Sequence, residues 1–163
     1  MDNKGQLYLI LGSTASFIIA AVHVAIILIG PSAYEYFGGD YLVPLVERGS
    51  PFPALLTLGI AFIFVVWGVY ALSGAGVTRR LPLMRTALII VGTLCTLRGL
   101  DFVQDIFQRL FEGFSRPVKF TVFSAVSLAV GLLYLVGVIG QWQRISLTTR
   151  PAAEGIEHRQ EQH

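Results

Sequence analysis

Residues 120–140 read FTVFSAVSLAVGLLYLVGVIG, which is 21 positions without a charged side chain. An α-helix of about 20 apolar residues crosses roughly 30 Å of hydrocarbon, because each residue adds about 1.5 Å. Two more stretches, residues 7–29 and 54–72, are 23 and 19 residues long and carry no formal charge. The chain therefore predicts helices that span a membrane rather than a water-soluble domain.

A fourth apolar stretch is shorter, because its uncharged run, residues 86–97, covers only 12 positions. A helix that begins at Pro82, a favoured first helical residue, reaches Asp101 after roughly 20 residues. Arg85 then lies at one edge of the hydrocarbon and Arg98 about one turn inside the other edge. We predict an all-α integral membrane four-helix bundle whose spans lie near residues 7–29, 54–72, 82–101 and 120–140.

The composition supports this class. The chain has 163 residues, of which 54% are hydrophobic and 13% are charged, whereas about 25% of the residues of a soluble domain are charged. One transmembrane domain, residues 1–142, accounts for most of the chain, and residues 143–163 form a polar segment that we predict to be a cytoplasmic tail. Cys95 is the only cysteine, so the chain can form no internal disulfide.

Basic residues predict the orientation of the bundle. The first apolar stretch, at 23 residues, exceeds the roughly 7–15 of a secretory signal, so we expect it to be a retained span. With both termini in the cytoplasm, seven basic residues lie on the cytoplasmic side and five on the other. Arg79 and Arg80, in a short loop between two spans, weigh most. This bias predicts N-in and C-in, in a bacterial inner (plasma) membrane.

The connection between the first two spans, residues 30–53, is long for a simple turn. Ser32 and Glu35 have the spacing of a capping box, and Gly38 follows where a short helix would end. A second apolar patch at residues 41–46 is expected to lie against the lipid headgroups or to fold over the mouth of the bundle.

An amphipathic helix is predicted at about residues 101–113, directly after the third span. Arg98, Asp101, Asp105 and Arg109 recur on one of its faces at spacings of three and four residues. The helix either continues the third span out of the membrane or bends to lie on its surface. In the simplest interpretation the polar face is solvated and its ion pairs contribute little.

Counting inwards from the same boundary places five polar side chains within about two turns of one plane. These residues are His23, Thr57, Arg98, Ser124 and Ser127. Ionisable groups inside spans are costly and usually face the bundle interior, where they pair or mark a pathway or a binding site. We therefore treat this polar layer as a candidate site.

Two interpretations of the polar layer stay open. In the structural one, a neutral His23 is hydrogen-bonded to Thr57 or Ser124, as is common between packed helices. In the functional one, His23 titrates near neutral pH under the control of Arg98, Asp101 or Glu35.

Several chemistries lack the residues they need. Haem ligation by two histidines within one chain would need a second histidine in the spans, but His158 and His163 are both in the tail. A zinc site lacks three nearby ligands, and the chain has no GxSxG motif or glycine-rich phosphate loop. We therefore predict no cofactor and no metal. The scattered basic residues also give no reason to expect nucleic acid binding.

Two functions are compatible with these features. The preferred one is a non-catalytic accessory, assembly or interaction subunit, whose partners are the lipid bilayer and another membrane protein or a second copy of the chain. The alternative is a small carrier or sensor, in which a proton or ligand enters below residues 30–53 and meets His23 and Arg98. An enzyme acting on a lipid or quinone ranks third, because it would need a sideways pocket into which Glu35 or Asp101 reaches.

Overall fold

The structure, a computed structural model, describes residues 3–79, 81–111 and 117–142. These residues include four helices that are long and apolar enough to cross a membrane, and the predicted all-α four-helix bundle with an amphipathic extension is confirmed. The predicted tail (residues 143–163), Arg80 and the predicted end of the amphipathic helix (residues 112–113) lie outside the described residues.

The long helices are α1 (Asn3–Ile29), α4 (Phe52–Gly74) and α7 (Val118–Gly140), together with a rod formed by α5 (Met84–Gly99) and α6 (Asp101–Phe111). Between α1 and α4 lie α2 (Pro31–Tyr36), a 3-10 turn (Asp40–Leu42) and α3 (Val43–Glu47). We call the end of the bundle that holds the start of α1 and the end of α7 the proximal end, and the opposite end the distal end.

Helix α7 packs closely against α1 through small residues. A Cβ atom on Gly137 would lie 2.7 Å from the side chain of Leu9, and one on Gly5 would lie 2.8 Å from the backbone of Gly140. The two helices are antiparallel, because Gly5 of α1 lies beside Gly140 of α7, whereas the later residue Leu9 lies beside the earlier residue Gly137. Small residues at such positions let two helices approach until their backbones touch.

The core of the proximal half surrounds Tyr134, which is fully buried on α7. Its hydroxyl group is 2.7 Å from Oγ of Ser16 on α1, so the polar end of this large ring has a partner. Leu9 and Leu88 belong to the same buried cluster and are also fully buried. This cluster, which also includes Ala71 of α4, joins all four long helices.

Helix α4 is held mainly by α1. Oγ of Ser13 donates to the carbonyl oxygen of Gly68 at 2.9 Å, while α4 meets α5 near the proximal end, where the side chain of Leu88 lies against Gly74. The loop that joins these two helices is pinned by Ser73, whose Oγ donates to the carbonyl oxygen of Arg79 at 2.9 Å. The α4–α5 pair is therefore closed proximally and is the loosest of the four neighbouring pairs.

The third long helix begins later than the sequence predicts, and a turn separates it from α6. Leu83, in a left-handed conformation with φ of 53°, is its N-cap residue, so Pro82 precedes the helix instead of starting it. At the other end, the chain makes a single turn at Leu100 and continues as α6. Gly99 packs against Leu128, near the midpoint of α7, so neighbouring Arg98 stands near the middle of the bundle and not one turn from its edge.

Helix α6 continues along α7 and does not bend away to lie flat on a surface. Its polar residue Asp105 is 4% exposed, whereas Leu110 and Phe111 on the opposite face are each 73% exposed. This reverses the pattern of a helix on a water-soluble protein. The prediction of a solvated polar face is wrong at Asp105, which is buried towards α7. Elsewhere on this face Arg98 and Asp101 form an exposed ion pair.

The capping box predicted for Ser32 and Glu35 does not form. Gly30, with φ of 87°, is the N-cap residue of α2, and no side chain caps this helix. Pro31 takes the first helical position, which leaves Ser32 two residues beyond the N-cap position and unable to serve as the cap. The predicted stop is confirmed, since α2 ends before Gly38, which adopts φ of 86°.

The contact between α5 and α7 predicts a steric cost for a single methyl group. A Cβ atom on Gly131 would collide with the side chain and backbone nitrogen of Thr96 and lie 2.9 Å from the carbonyl oxygen of Gly92. We expect Gly131→Ala to lower the free energy of unfolding by about 1–3 kcal/mol, the usual cost of overpacking. Thermal unfolding in detergent micelles, followed by circular dichroism, measures the change.

Gly59→Ala is the matched control. Gly59 also lies inside a long helix, but a Cβ atom there would meet nothing within 4 Å. This substitution should leave the stability unchanged or raise it by up to about 1 kcal/mol, because alanine is the better helix former. Equal effects at the two positions would contradict the close packing of α5 on α7.

Candidate functional site

The distal half of the bundle contains a cavity of about 680 Å³. Its walls come from all four long helices, and its roof comes from the segment between α1 and α4. Most of the surface is apolar, and the aromatic residues that line it are Phe37, Tyr41, Phe64, Trp67 and Phe123. A volume of this size falls in the range of roughly 300–1,000 Å³ that is usual for small-molecule sites.

The roof is attached to the helices below it at several points. The hydroxyl group of Tyr34 on α2 is 3.1 Å from Oγ1 of Thr57 on α4. Phe37 stacks on Phe123 of α7 with ring centroids 5.5 Å apart, and Nζ of Lys119 donates to the carbonyl oxygen of Glu35 at 3.4 Å. These contacts hold residues 37–42 over the distal end of the cavity.

The cavity is exposed on more than one side. Ile18 on α1 and Tyr41 in the roof line it and are 59% and 73% exposed. Helices α4 and α5, which touch near the proximal end, form another exposed side, which we call the mouth. Leu94 on α5 and Ile60 on α4 both line the cavity, yet they are 50% and 36% exposed. Arg98 also lines the cavity and its side chain is 60% exposed, so one exposed side of the cavity carries a guanidinium group.

His23 lies in the cavity wall contributed by α1. Its Nδ1 is 2.8 Å from the carbonyl oxygen of Ile19. A carbonyl can only accept, so Nδ1 is the donor and Nε2 is left as the ring nitrogen that can accept in the neutral form. The ring also lies against Phe64, with centroids 5.5 Å apart. The predicted structural bond to Thr57 or Ser124 is wrong, because His23 bonds within its own helix.

Arg98 is paired along its own helix. Nη1 donates to Oδ2 of Asp101 at 3.0 Å, and 48% of the Asp101 side chain is exposed. Because Asp101 lies about one turn beyond Arg98, this bond directs the guanidinium group towards the distal end. The hydrogen bond to Ile19, one turn before His23, directs the imidazole ring towards the proximal end. The two groups thus approach one level of the cavity from opposite walls.

The structure brings together only some of the predicted site residues. His23, Thr57, Arg98 and Ser127 all line the cavity. Asp101 reaches the site through its bond to Arg98, whereas Ser124 is buried and does not line the cavity. Glu35 is exposed on α2, where its backbone rather than its carboxylate makes the recorded contact.

A second polar cluster lies distal to the cavity, between α6 and α7. The buried carboxylate of Asp105 accepts a hydrogen bond from Oγ1 of Thr121 at 3.2 Å. Nη2 of Arg109 donates to the same Oγ1 atom at 3.3 Å. The sequence pattern predicts this stripe of polar residues, but as a solvated face. The apolar residues of α6 could have indicated this orientation, because the apolar face of a helix in lipid is expected to face outwards.

The cavity suits an apolar ligand with one polar or anionic group. Its walls are mostly hydrocarbon and aromatic rings, and its mouth carries a cationic side chain with several N–H donors. The described residues contain no group of three or more His, Cys, Asp or Glu side chains that could hold a metal ion. Burial and charge are what the cavity residues offer a ligand.

The fold and the cavity define an all-helical bundle with four helices able to cross a membrane and an interior site in one half. Comparison with protein-family models, curated proteins and solved structures gave no match.

The cluster at Asp105 predicts a cost for removing one hydroxyl group. In Thr121→Val, the buried carboxylate loses its donor, so we expect the free energy of unfolding to fall by about 1–3 kcal/mol. Adding Asp105→Asn to Thr121→Val should recover part of this loss, because a neutral amide is less costly to bury than a carboxylate. Chemical denaturation in micelles measures both changes.

The control for this prediction is Thr93→Val on α5, where the threonine is exposed. It should change the stability by no more than about 0.5 kcal/mol. If Thr121→Val were equally neutral, the Asp105 carboxylate would not depend on Thr121.

Proposed function

We propose that this protein is a small integral membrane carrier or sensor that receives a ligand in the distal cavity. The observation that carries the proposal is the cavity itself, with Arg98 at its mouth and His23 in its wall. A bundle built only for packing has no need of an open space of about 680 Å³, since protein interiors are normally filled.

The surface of the bundle supports a place in lipid. The apolar windows of the four long helices are only 22% to 33% buried within the protein, so most of their apolar side chains face outwards. We further propose the bacterial inner (plasma) membrane with both termini in the cytoplasm. At the proximal end, the guanidinium carbon of Arg85 lies 3.1 Å from the ring centroid of Trp142, as basic and aromatic residues do at a membrane interface.

An accessory or assembly subunit is the second candidate. The ion pair between Arg98 and Asp101 favours it, because the pair satisfies both charges without a ligand. The two candidates differ in what they require of the cavity. A carrier or sensor needs a cavity that molecules can enter, whereas an accessory subunit needs only the outer surface of the bundle.

The enzyme alternative has less support. Glu35 does not line the cavity, and Asp101 is bonded to Arg98. General acid–base chemistry needs a carboxyl group within hydrogen-bond reach of the substrate, and neither acidic residue is placed in the cavity.

Access to the cavity can be measured with a single introduced thiol. In a Cys95→Ala background, Ser127→Cys places the thiol in the cavity wall, and Leu132→Cys places it on the outer face of the same helix, where Leu132 is 47% exposed. In nanodiscs we expect a small methanethiosulfonate to modify the first thiol at least about tenfold faster, because the reactive thiolate needs water or a positive charge nearby.

Thermal unfolding of both variants shows whether the bundle is intact. Equally slow modification of the two thiols in folded protein would mean that the cavity is closed and dry. That result would remove the support for a carrier or sensor and leave the accessory subunit as the better proposal.

A further inference from the structure

We infer that the ligand is a hydrophobic monocarboxylic acid, which enters from the bilayer between α4 and α5 and binds Arg98 with its carboxylate. The inference rests on the proposed function and adds to it the chemical class of the ligand and its path. Three features support it: the exposed side of the cavity between α4 and α5, the charge of Arg98 beside that side, and the apolar walls.

The position of the mouth points to the bilayer. Residues 37–42 lie over the distal end and are held through Tyr34 to α4 and through Phe37 to α7, although Tyr41 among them is 73% exposed. The open side between α4 and α5 lies in the part of the bundle that faces outwards with apolar residues such as Leu94. A molecule that uses this opening must first dissolve in hydrocarbon, which favours an apolar body.

The charge at the mouth selects the head of the ligand. Arg98 stands near the middle of the bundle, where an ionised side chain is costly unless it is paired. Its guanidinium group has five N–H donors in a planar fork that matches a carboxylate. The recorded partner, Asp101, is bonded through Nη1 alone. A ligand carboxylate can therefore bind the rest of the fork or replace Asp101.

The walls of the cavity indicate that the part of the ligand outside the carboxylate is apolar. Phe64, Trp67 and Phe123 surround the cavity with aromatic surface, and aliphatic side chains fill most of the remainder. Within the part of the chain that the structure describes, no acidic residue lines the cavity, and Asp101 is bonded to Arg98, which does. Because the cationic group stands beside an otherwise apolar cavity, one negative charge on an apolar body is the complementary ligand.

His23 gives this ligand a way to arrive neutral and bind charged. A carboxylic acid crosses hydrocarbon in its protonated form, since the ionised form is strongly disfavoured there. At the level of Arg98, the acid can lose its proton to Nε2 of His23, directly or through water. The products are a carboxylate beside Arg98 and an imidazolium in the opposite wall, so charge and protons balance.

Trp67 is a built-in reporter of binding. The chain has two tryptophans, and Trp142 lies at the proximal end beside Arg85. In a Trp142→Phe variant in nanodiscs, Trp67 fluorescence can be titrated with 4-bromobenzoate and, separately, with 9,10-dibromostearate, because bromine quenches at short range. The matching amides serve as probes without a charge.

We expect saturable quenching by at least one of the two acids and none by its amide at the same concentrations. The aromatic acid tests a ligand from the aqueous phase, and the stearate tests one from the lipid. Arg98→Gln should weaken the affinity at least about tenfold, because a charge-assisted bond is lost. Arg48→Gln is the control, since Arg48 is exposed in the roof segment and does not line the cavity.

Asp101→Asn distinguishes a binding role from a structural one. If Asp101 competes with the ligand for Arg98, this variant should bind the acid more tightly, by a few-fold, whereas Arg98→Gln binds it more weakly. Loss of a merely structural ion pair would move both variants in the same direction. The two opposite signs therefore do not depend on whether either variant is slightly less stable.

Equal quenching by acid and amide, or an affinity that Arg98→Gln does not change, would overturn the inference. So would a lack of saturable quenching by both acids. If this happens while Ser127→Cys is still modified rapidly, the cavity is open to another class of ligand and the proposed function stands. If the thiol is also unreactive, both the inference and the proposed function fail.

Discussion

The close contact of α7 with its two neighbours is the constraint on which the rest of this structure depends. In the proximal half, Gly131 and Gly137 let α5 and α1 approach until backbone atoms touch. In the distal half, Phe123 and Val126 occupy the cavity-facing positions of the same helix. The same helix therefore packs backbone to backbone in the proximal half and lines the cavity in the distal half.

This difference between the two halves explains why the polar residues lie where they do. A helix that meets its neighbour across a cavity can turn polar groups inwards, because the open space can hold water or a ligand. Along α5 and α6, Arg98 faces the cavity, and Asp105 is buried against Thr121 one level further towards the distal end. The exposed apolar face of α6 completes this pattern, which places the polar groups inside and the hydrocarbon outside.

The sequence was sufficient to predict the helices, because length and the absence of charge decide what can cross a bilayer. It was not sufficient for features that depend on how two helices meet. The direction of α6 follows from its contact with α7, and the partner of His23 follows from its rotamer. The capping box at Ser32 failed for a local reason, since Pro31 already occupies the first turn. His23, Thr57 and Arg98 of the candidate site could be grouped from their depth along the helices alone. Excluding Glu35 and Ser124 required knowing which way each helix faces its neighbours.

The ion pair between Arg98 and Asp101 has a consequence for how such a site would work. An arginine near the middle of a spanning bundle needs a counterion at all times, because an unpaired charge there is costly. Asp101, bonded through one nitrogen at 3.0 Å, supplies that counterion when the cavity is empty. A carboxylate ligand would then replace Asp101 as the partner of Arg98. Its binding would be weaker than binding to an unpaired arginine, because one ion pair is lost when the other forms. Its release would leave no unpaired guanidinium group, because Asp101 takes its place again. Moderate affinity with ready release suits a carrier or a sensor, both of which must return to the empty state.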